Sequence, residues 1–249
     1  MSLPDVTSHD EWLAARKQLL TREKELTRAR DALSADRRRL PMVRIDKPYV
    51  FEGPDGKATL LDFFQGRQQL FLQHFMFDPS WEDGCPSCSA ELDELSRGTV
   101  AHLNIRDTTF ASVSRAPLAK LEDYKARKGW TSPWYSSHGS DFNYDFHTTI
   151  DESVAPLEVN YRTRAELEDV APDVWLLKAE QPFEMPGMSC FLRVGDDVFH
   201  TYSTFARGTE QIGGAYAFLD LTALGRQEDW EEPKGRAADP RGAMPNFAE

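Results

Sequence analysis

Two cysteines three positions apart, Cys85 and Cys88, constrain the fold of this 249-residue chain more than any other feature. The preceding run, Gln69–Phe77, is apolar enough for a buried central strand. After the cysteines, apolar residues recur at three- and four-residue steps as far as Leu103, which is the spacing of a helix. The sequence therefore predicts a strand, a loop and a helix, with Cys85 at the mouth of the helix and Pro86 at its first position.

A thiol at the N-terminus of a helix is favoured as the thiolate, which is the reactive form. The pattern Cys85-Pro86-Ser87-Cys88 thus predicts a redox pair, with Cys85 as the exposed nucleophile and Cys88 as the buried resolving thiol. Half of a zinc site would also place two cysteines at this spacing, but only Cys190 and a distant histidine could complete it, and we predict no metal. A structural disulfide or two inert buried thiols would fit the same spacing.

Composition limits the class of protein and its partners. A hydrophobic content of 40% supports a sizeable core, and the net charge of −12 argues against nucleic acid as the main partner. The sequence contains no apolar run approaching ~18 residues and no signal peptide, which predicts neither a membrane span nor export. With three cysteines, we expect a cytoplasmic protein.

Residues 8–36 are predicted to form a long helix whose capping box pairs Ser8 with Glu11. Trp12, Leu19, Leu26 and Leu33 follow a seven-residue step and form one narrow apolar stripe. Residues 1–45, an N-terminal helical arm, contain ten Lys and Arg against seven Asp and Glu, so the arm carries +3 and the rest −15. We expect a homodimer with this arm in the interface; the same stripe would also suit an arm folded back on its own subunit.

Residues 46–225 are predicted to form one α/β domain. A hairpin turns at Gly53–Gly56, a second strand spans Thr108–Ser114, and a helix spans Pro117–Lys128. Strand and helix alternate at a spacing that implies parallel pairing through right-handed crossovers. Residues of about 151–185 are predicted to be an insertion, and a hairpin over Cys190–Tyr202 follows it. Residues 226–249 have the composition of a loose C-terminal tail.

Seven segments together resemble the DUF899 family, bacterial thioredoxin-like proteins of largely unassigned function. They are His74–Phe77, Gly84–Ser89, Ser114–Leu118, Gly129–Trp130 with Pro133–Ser137, Asp141–Phe146, Phe199–Thr204 with Ala206–Gly208, and Gly225–Trp230. The resemblance implies a thioredoxin-like fold with an N-terminal hairpin. It also implies a cis-proline beside the cysteine pair, for which Pro186 is the candidate.

The leading functional hypothesis is a thiol–disulfide oxidoreductase whose redox-active group is a Cys85–Cys88 disulfide, with no other cofactor. Its substrate would be a thiol or disulfide that the sequence does not identify. No lysine or histidine adjoins the cysteines in sequence, so folding would have to supply a cationic partner. His200 and Arg207 are the candidates.

Two further functions are compatible with the sequence. A peroxiredoxin-like peroxide reductase needs a Thr or Ser three residues before its reactive cysteine, where this chain has Glu82, an anion that repels a thiolate. A ligand-binding protein on the same fold would use aromatic side chains to line a pocket. The candidates for that pocket are Trp81, Trp130, Trp134, Phe142 and Tyr144.

Overall fold

The computed structural model of the protein describes residues 4–212 together with Gly214 and Lys234. The described residues up to Pro41 belong to one compact unit, and those from Met42 to Gly214 belong to another. Residues 215–225 of the predicted α/β domain and the predicted tail 226–249, apart from Lys234, lie outside the described residues.

The first unit contains a single long helix among its described residues, α1, which spans His9–Arg37. Ser8 is its N-cap, and the predicted capping box with Glu11 is present. Its four stripe residues are about half exposed, at 48–54%. The homodimer stays a prediction.

The second unit holds the remaining elements. Its strands are β1 (Val43–Arg44), β2 (Phe51–Gly53), β3 (Gly56–Ala58), β4 (Gln69–His74), β5 (Thr108–Ser114), β6 (Trp134–Ser136), β7 (Thr149–Ile150), β8 (Glu158–Val159), β9 (Arg162–Thr163), β10 (Phe183–Glu184), β11 (Gly187–Val194) and β12 (Asp197–Phe205). Its α-helices are α2 (Pro86–Asp93), α3 (Arg97–Asn104), α4 (Leu118–Lys128), α5 (Phe142–Asp145) and α6 (Arg164–Val170). Short 3-10 helices span Asp62–Phe64, Trp175–Leu177 and Ala206–Ile212.

Eight strands form the central sheet in the order β1-β12-β11-β4-β5-β6-β2-β3. β4, β5 and β6 are parallel, as predicted for strands joined by helical crossovers. On the other side of β4, the hairpin of β11 and β12 adds antiparallel strands. A β–α–β unit that is extended beside its first strand by an antiparallel hairpin is the arrangement of the thioredoxin fold. The predicted α/β, thioredoxin-like class is therefore confirmed.

The sheet separates two cores because successive side chains of a strand point to opposite faces. Phe71 and Gln73 of β4 point to what we call the cysteine face, where Phe75 packs with Cys88 and α4. Leu70 and Leu72 point to the opposite face, against the hairpin of β2 and β3 and the aromatic residues of α5.

One local prediction differs from the structure. The predicted cysteine helix is interrupted after Asp93, because the Ser96 side chain accepts a hydrogen bond from the Thr99 N–H and caps a second helix, α3.

A hydrogen-bonded chain of two histidines and two serines runs across the face opposite the cysteines. His74 Nε2 lies 2.7 Å from Ser189 Oγ, Ser189 Oγ lies 2.7 Å from Ser203 Oγ, and Ser203 Oγ lies 2.7 Å from His200 Nε2. Burial lowers the pKa of His74 to about 3, with a smaller contribution from the charge of His200. In the folded protein, the His74 side chain is therefore neutral at neutral pH.

Replacing His74 is expected to change the acid stability of the protein. An unfolded histidine has a pKa of about 6.5, so His74 favours the folded state fully above that pH and loses this contribution as the pH falls toward 3. The loss amounts to about 1.4 kcal/mol per pH unit. In urea titrations between pH 6.5 and 5, His74→Gln should show a shallower pH dependence of the unfolding free energy than wild type. His102→Gln, which alters an exposed histidine, is the control; equal slopes in wild type and His74→Gln would contradict the prediction.

Candidate active site

The loop between β4 and the first cysteine is fixed at several points. The Cys85 N–H donates to the Met76 carbonyl over 3.0 Å, which returns the loop to the end of the strand. Asp78 accepts hydrogen bonds from the N–H and hydroxyl of Ser80. Lys120 Nζ of α4 lies 2.7 Å from the carbonyl oxygens of both Pro79 and Trp81. The position of Cys85 therefore depends on contacts with both the sheet and α4.

Helix α2 begins where the sequence predicts. Cys85 is its N-cap and Pro86 occupies the first turn. The Cys85 carbonyl accepts hydrogen bonds of 2.9 Å from both the N–H and the hydroxyl of Ser89. The Ser89 hydroxyl also lies 2.9 Å from the Tyr124 hydroxyl of α4, so the start of the helix is tied to its neighbour.

The Cys85 sulfur is stabilised as a thiolate. The pKa of Cys85 is lowered to about 6, and the largest cause is a hydrogen bond that the Cys88 thiol donates to the Cys85 sulfur. Partial burial opposes the shift, whereas the N–H groups of Cys88 and Ser87 and the Ser87 hydroxyl support it. These N–H groups lie in the first turn of the helix, whose donors have no intrahelical partner.

The second thiol has the opposite environment. Cys88 is 2% exposed and packs among the aromatic residues of the cysteine face. The hydrogen bond that it donates to Cys85, together with burial, raises its pKa. At neutral pH, therefore, Cys85 is mainly a thiolate, whereas Cys88 remains a protonated thiol.

A polar group beneath the cysteines was not identified as a site from the sequence. Gln73 is 1% exposed, and its Nε2 donates to Glu91 Oε2 over 2.9 Å. Its Oε1 accepts a 2.9 Å hydrogen bond from the Ser112 hydroxyl of β5. A glutamine within an apolar strand and a glutamate three residues after Cys88 are the sequence signals for this group.

An ion-paired arginine lies at the same end of the sheet and was also missed as a site residue. Arg115 follows β5 directly, and its Nε lies 2.7 Å from Glu184 Oε1. Its guanidinium also pairs with Asp78, in the loop before the cysteines. Thr149 donates to the second oxygen of Glu184 over 2.9 Å. The cysteine loop is thereby joined to β10.

The predicted cationic partner His200 is not brought to the cysteine pair. His200 pairs with Phe191 in the sheet, and its ring packs against Phe146 on the opposite face. Arg207 lies in the 3-10 helix Ala206–Ile212 and pairs with Glu210 over 3.3 Å.

The expected cis-proline is not at Pro186. Among the described residues, the cis peptide bond is Gln181–Pro182, and Met185–Pro186 is trans. The Met185 N–H donates to the Thr148 carbonyl over 2.9 Å, so the backbone is held in register as it enters β11 at Gly187. Gly187 pairs with His74 at the end of β4.

The five aromatic candidates do not line one pocket. Trp134 is buried on the cysteine face, where Trp81 and Trp130 pack beside it. Phe142 is buried in the core of the opposite face, and Tyr144 follows it on α5. Four of the five rings therefore pack in the two cores of the fold, whereas Tyr144 is half-buried.

Cys190 lies in β11 opposite Phe71 of β4, on the cysteine face. Burial raises its pKa to about 11, so it is a neutral thiol at neutral pH. Within the described residues, no group of three or more His, Cys, Asp and Glu side chains is placed to hold a metal ion. No helix in that part of the chain is long and apolar enough to cross a membrane.

One protein family matches nearly the whole chain. The family described as "Bacterial protein of unknown function (DUF899)" matches residues 1–242. No curated protein matches the sequence.

Solved structures with a similar course of the chain include peroxiredoxins. A Cys-to-Ser mutant of PrxQ from Xylella fastidiosa is 13% identical, with a TM-score of 0.41, over 70% of this chain and 91% of the other. Peroxiredoxin Q from Xanthomonas campestris is 13% identical, with a TM-score of 0.41, over 67% and 86%. A putative protein disulfide isomerase from Bacteroides thetaiotaomicron is 22% identical, with a TM-score of 0.31, over 42% and 65%. Likeness at this level assigns no activity to the chain.

Alkylation of the native, reduced protein is expected to modify Cys85 first. Its rate should rise with pH around a midpoint near 6, because only the thiolate reacts. In Cys88→Ala the midpoint should move upward, since the hydrogen bond from Cys88 is the largest cause of the lowered pKa. Iodoacetamide labelling followed by mass mapping measures both effects, with Cys190→Ser as the control. Preferential labelling of Cys88, or an unchanged midpoint in Cys88→Ala, would contradict this assignment.

Proposed function

We propose that this protein, which belongs to the DUF899 family of bacterial proteins, is a dithiol–disulfide oxidoreductase. Cys85 is its nucleophile and Cys88 its resolving thiol. The observation that carries the proposal is the opposite environment of the two sulfurs. The pKa of Cys85 is lowered to about 6 at the start of α2, whereas burial and its hydrogen bond to Cys85 raise the pKa of Cys88.

The first chemical step uses the thiolate. The Cys85 sulfur attacks one sulfur of a substrate disulfide, a mixed disulfide forms, and the other half of the substrate leaves as a thiolate. Because the pKa of Cys85 lies near neutral pH, the nucleophile is ionised without loss of much intrinsic reactivity.

The second step closes the Cys85–Cys88 disulfide. Cys88 loses its proton and attacks the Cys85 sulfur, and the remaining half of the substrate leaves as a thiolate. The substrate disulfide is thereby reduced to two thiols while the protein dithiol is oxidised. An external thiol reductant returns the protein to its dithiol form. Cys88 reaches Cys85 from within the same helix, so no large rearrangement is needed.

Peroxide reduction and ligand binding have weaker support. Glu82, the residue three before Cys85, is an exposed carboxylate and offers no neutral hydroxyl to orient a peroxide. Four of the five aromatic residues suggested for a binding pocket are distributed between two cores. A cytoplasmic location, a homodimer and an unidentified thiol or disulfide substrate remain parts of the proposal.

Three serine variants test the proposal through turnover of a small disulfide in the presence of dithiothreitol. Cys85→Ser should fall below about one hundredth of the wild-type rate, because the nucleophile is lost. Cys88→Ser should accumulate a mixed disulfide with the substrate, visible as added mass on the intact protein. Cys190→Ser should stay within about twofold of wild type, because a buried neutral thiol takes no part in exchange.

The proposal would be wrong if Cys85→Ser kept wild-type turnover. Hydrogen peroxide serves as the parallel oxidant in the same assay. Faster oxidation of the dithiol by peroxide than by any disulfide tested would favour the peroxide reductase instead.

A further inference from the structure

The Glu91 carboxyl lies against the turn of α2 that contains Cys88. The two residues are three apart, so their side chains are neighbours on one face of the helix. Gln73 Nε2 lies 2.9 Å from Glu91 Oε2 and 3.4 Å from the Cys88 carbonyl oxygen. One buried amide of β4 thus holds the carboxyl beside the resolving cysteine.

The orientation of that amide is set from β5. The Ser112 hydroxyl donates to Gln73 Oε1, so the NH₂ group faces Glu91. The Glu91 Oε2 atom therefore accepts a hydrogen bond whether the carboxyl is ionised or neutral. A proton taken up by the carboxyl would reside on its other oxygen.

Thr209, in the 3-10 helix Ala206–Ile212, can satisfy both protonation states. Its hydroxyl donates to the Ala206 carbonyl oxygen over 3.0 Å, and it is close enough to the Glu91 carboxyl to act against the rise in the pKa of that group. A hydroxyl has one proton and can also accept. It can donate to an ionised Glu91, or donate to Ala206 and accept from a protonated Glu91. Proton uptake therefore leaves no buried polar atom of this group unsatisfied.

The charges around Glu91 support proton uptake. Burial raises its pKa, and the negative charges of Cys85 and Glu94 add to this, against hydrogen bonds from Gln73 and Thr209. The charge of Glu91 in turn contributes to the raised pKa of Cys88. Cys85 and Glu94, the N-cap and C-cap of α2, are thus charged groups that act on the carboxyl, while Gln73 of β4 and Thr209 of the 3-10 helix are neutral donors.

We propose that Glu91 is the proton acceptor that activates Cys88 in the resolving step. This role rests on the proposed dithiol–disulfide chemistry. The proton of the Cys88 thiol passes to the Glu91 carboxylate as the sulfur attacks Cys85 in the mixed disulfide. The bond between Cys85 and the substrate sulfur breaks, and the leaving thiolate takes the proton from Glu91.

Stopped-flow reaction of the full-length, reduced protein with 4,4′-dithiodipyridine separates the two steps. This neutral disulfide releases one coloured thiopyridone when Cys85 attacks and a second when Cys88 resolves the mixed disulfide. Glu91→Gln should leave the first release within about twofold of wild type and slow the second at least about tenfold near neutral pH, the scale of general base catalysis. Glu122→Gln, which removes an exposed carboxylate from α4, should leave the second release within about twofold.

The pH profile distinguishes proton transfer from a structural effect. In Glu91→Gln the second release should accelerate about tenfold per pH unit, as expected when hydroxide rather than a carboxylate removes the proton. It should approach the wild-type rate at alkaline pH, where Cys88 ionises without help. Thr209→Val, which removes the adaptable hydroxyl, should slow the second release while the first is retained, and it provides a second test if Glu91→Gln folds poorly.

Two results would overturn the role of Glu91. If the first release is normal and the second has the same rate and pH profile in wild type and Glu91→Gln, Glu91 is not the acceptor and the proposed function stands. If wild type gives no rapid first release, the proposed function fails, and the role of Glu91 fails with it.

Discussion

The junction between β4 and α2 is the constraint on which the rest of the site depends. The hydrogen bond from Cys85 to the Met76 carbonyl sets where the helix begins, and Gly84 permits it. A Cβ at Gly84 would lie 2.5 Å from the Phe75 ring and 3.1 Å from Tyr124. A side chain there would push the loop away from the sheet and move Cys85 out of the position in which the first turn of α2 stabilises its thiolate.

From that junction follows the difference between two chemically identical thiols. Cys85, at the helix start, receives hydrogen bonds from N–H groups that have no partner in the helix. Cys88, one turn later, points into the aromatic core and can lower its energy by donating to Cys85. The arrangement activates the first sulfur and makes the second harder to ionise. A base near Cys88 would offset that difficulty.

The sequence was informative where local chemistry decides the structure and uninformative where distant segments meet. The long N-terminal helix followed from the capping box of Ser8 and Glu11, and the strand, loop and helix around Cys85 followed from periodicity and Pro86. The break at Ser96 was missed because apolar spacing continues through it, although the cap overrides that spacing. The placement of His200 could not be foreseen, because the register of β11 and β12 determines which face of the sheet it occupies.

Residues 151–185, which were predicted to be an insertion, contribute to the site through their last strand, β10. The ion-paired group joins three elements. Asp78 lies in the cysteine loop, Arg115 follows β5, and Glu184 lies in β10. Little solvent reaches these three charged side chains. Removing one partner of such a group strands a charge in a poorly solvated position, which costs about 3–5 kcal/mol when burial is complete. The cysteine loop is therefore coupled to a segment about a hundred residues away in sequence. The entropic cost of bringing such distant segments together grows only slowly with the length of chain between them. Through Arg115, the folding of the segment that contains β10 helps to hold the loop that presents Cys85.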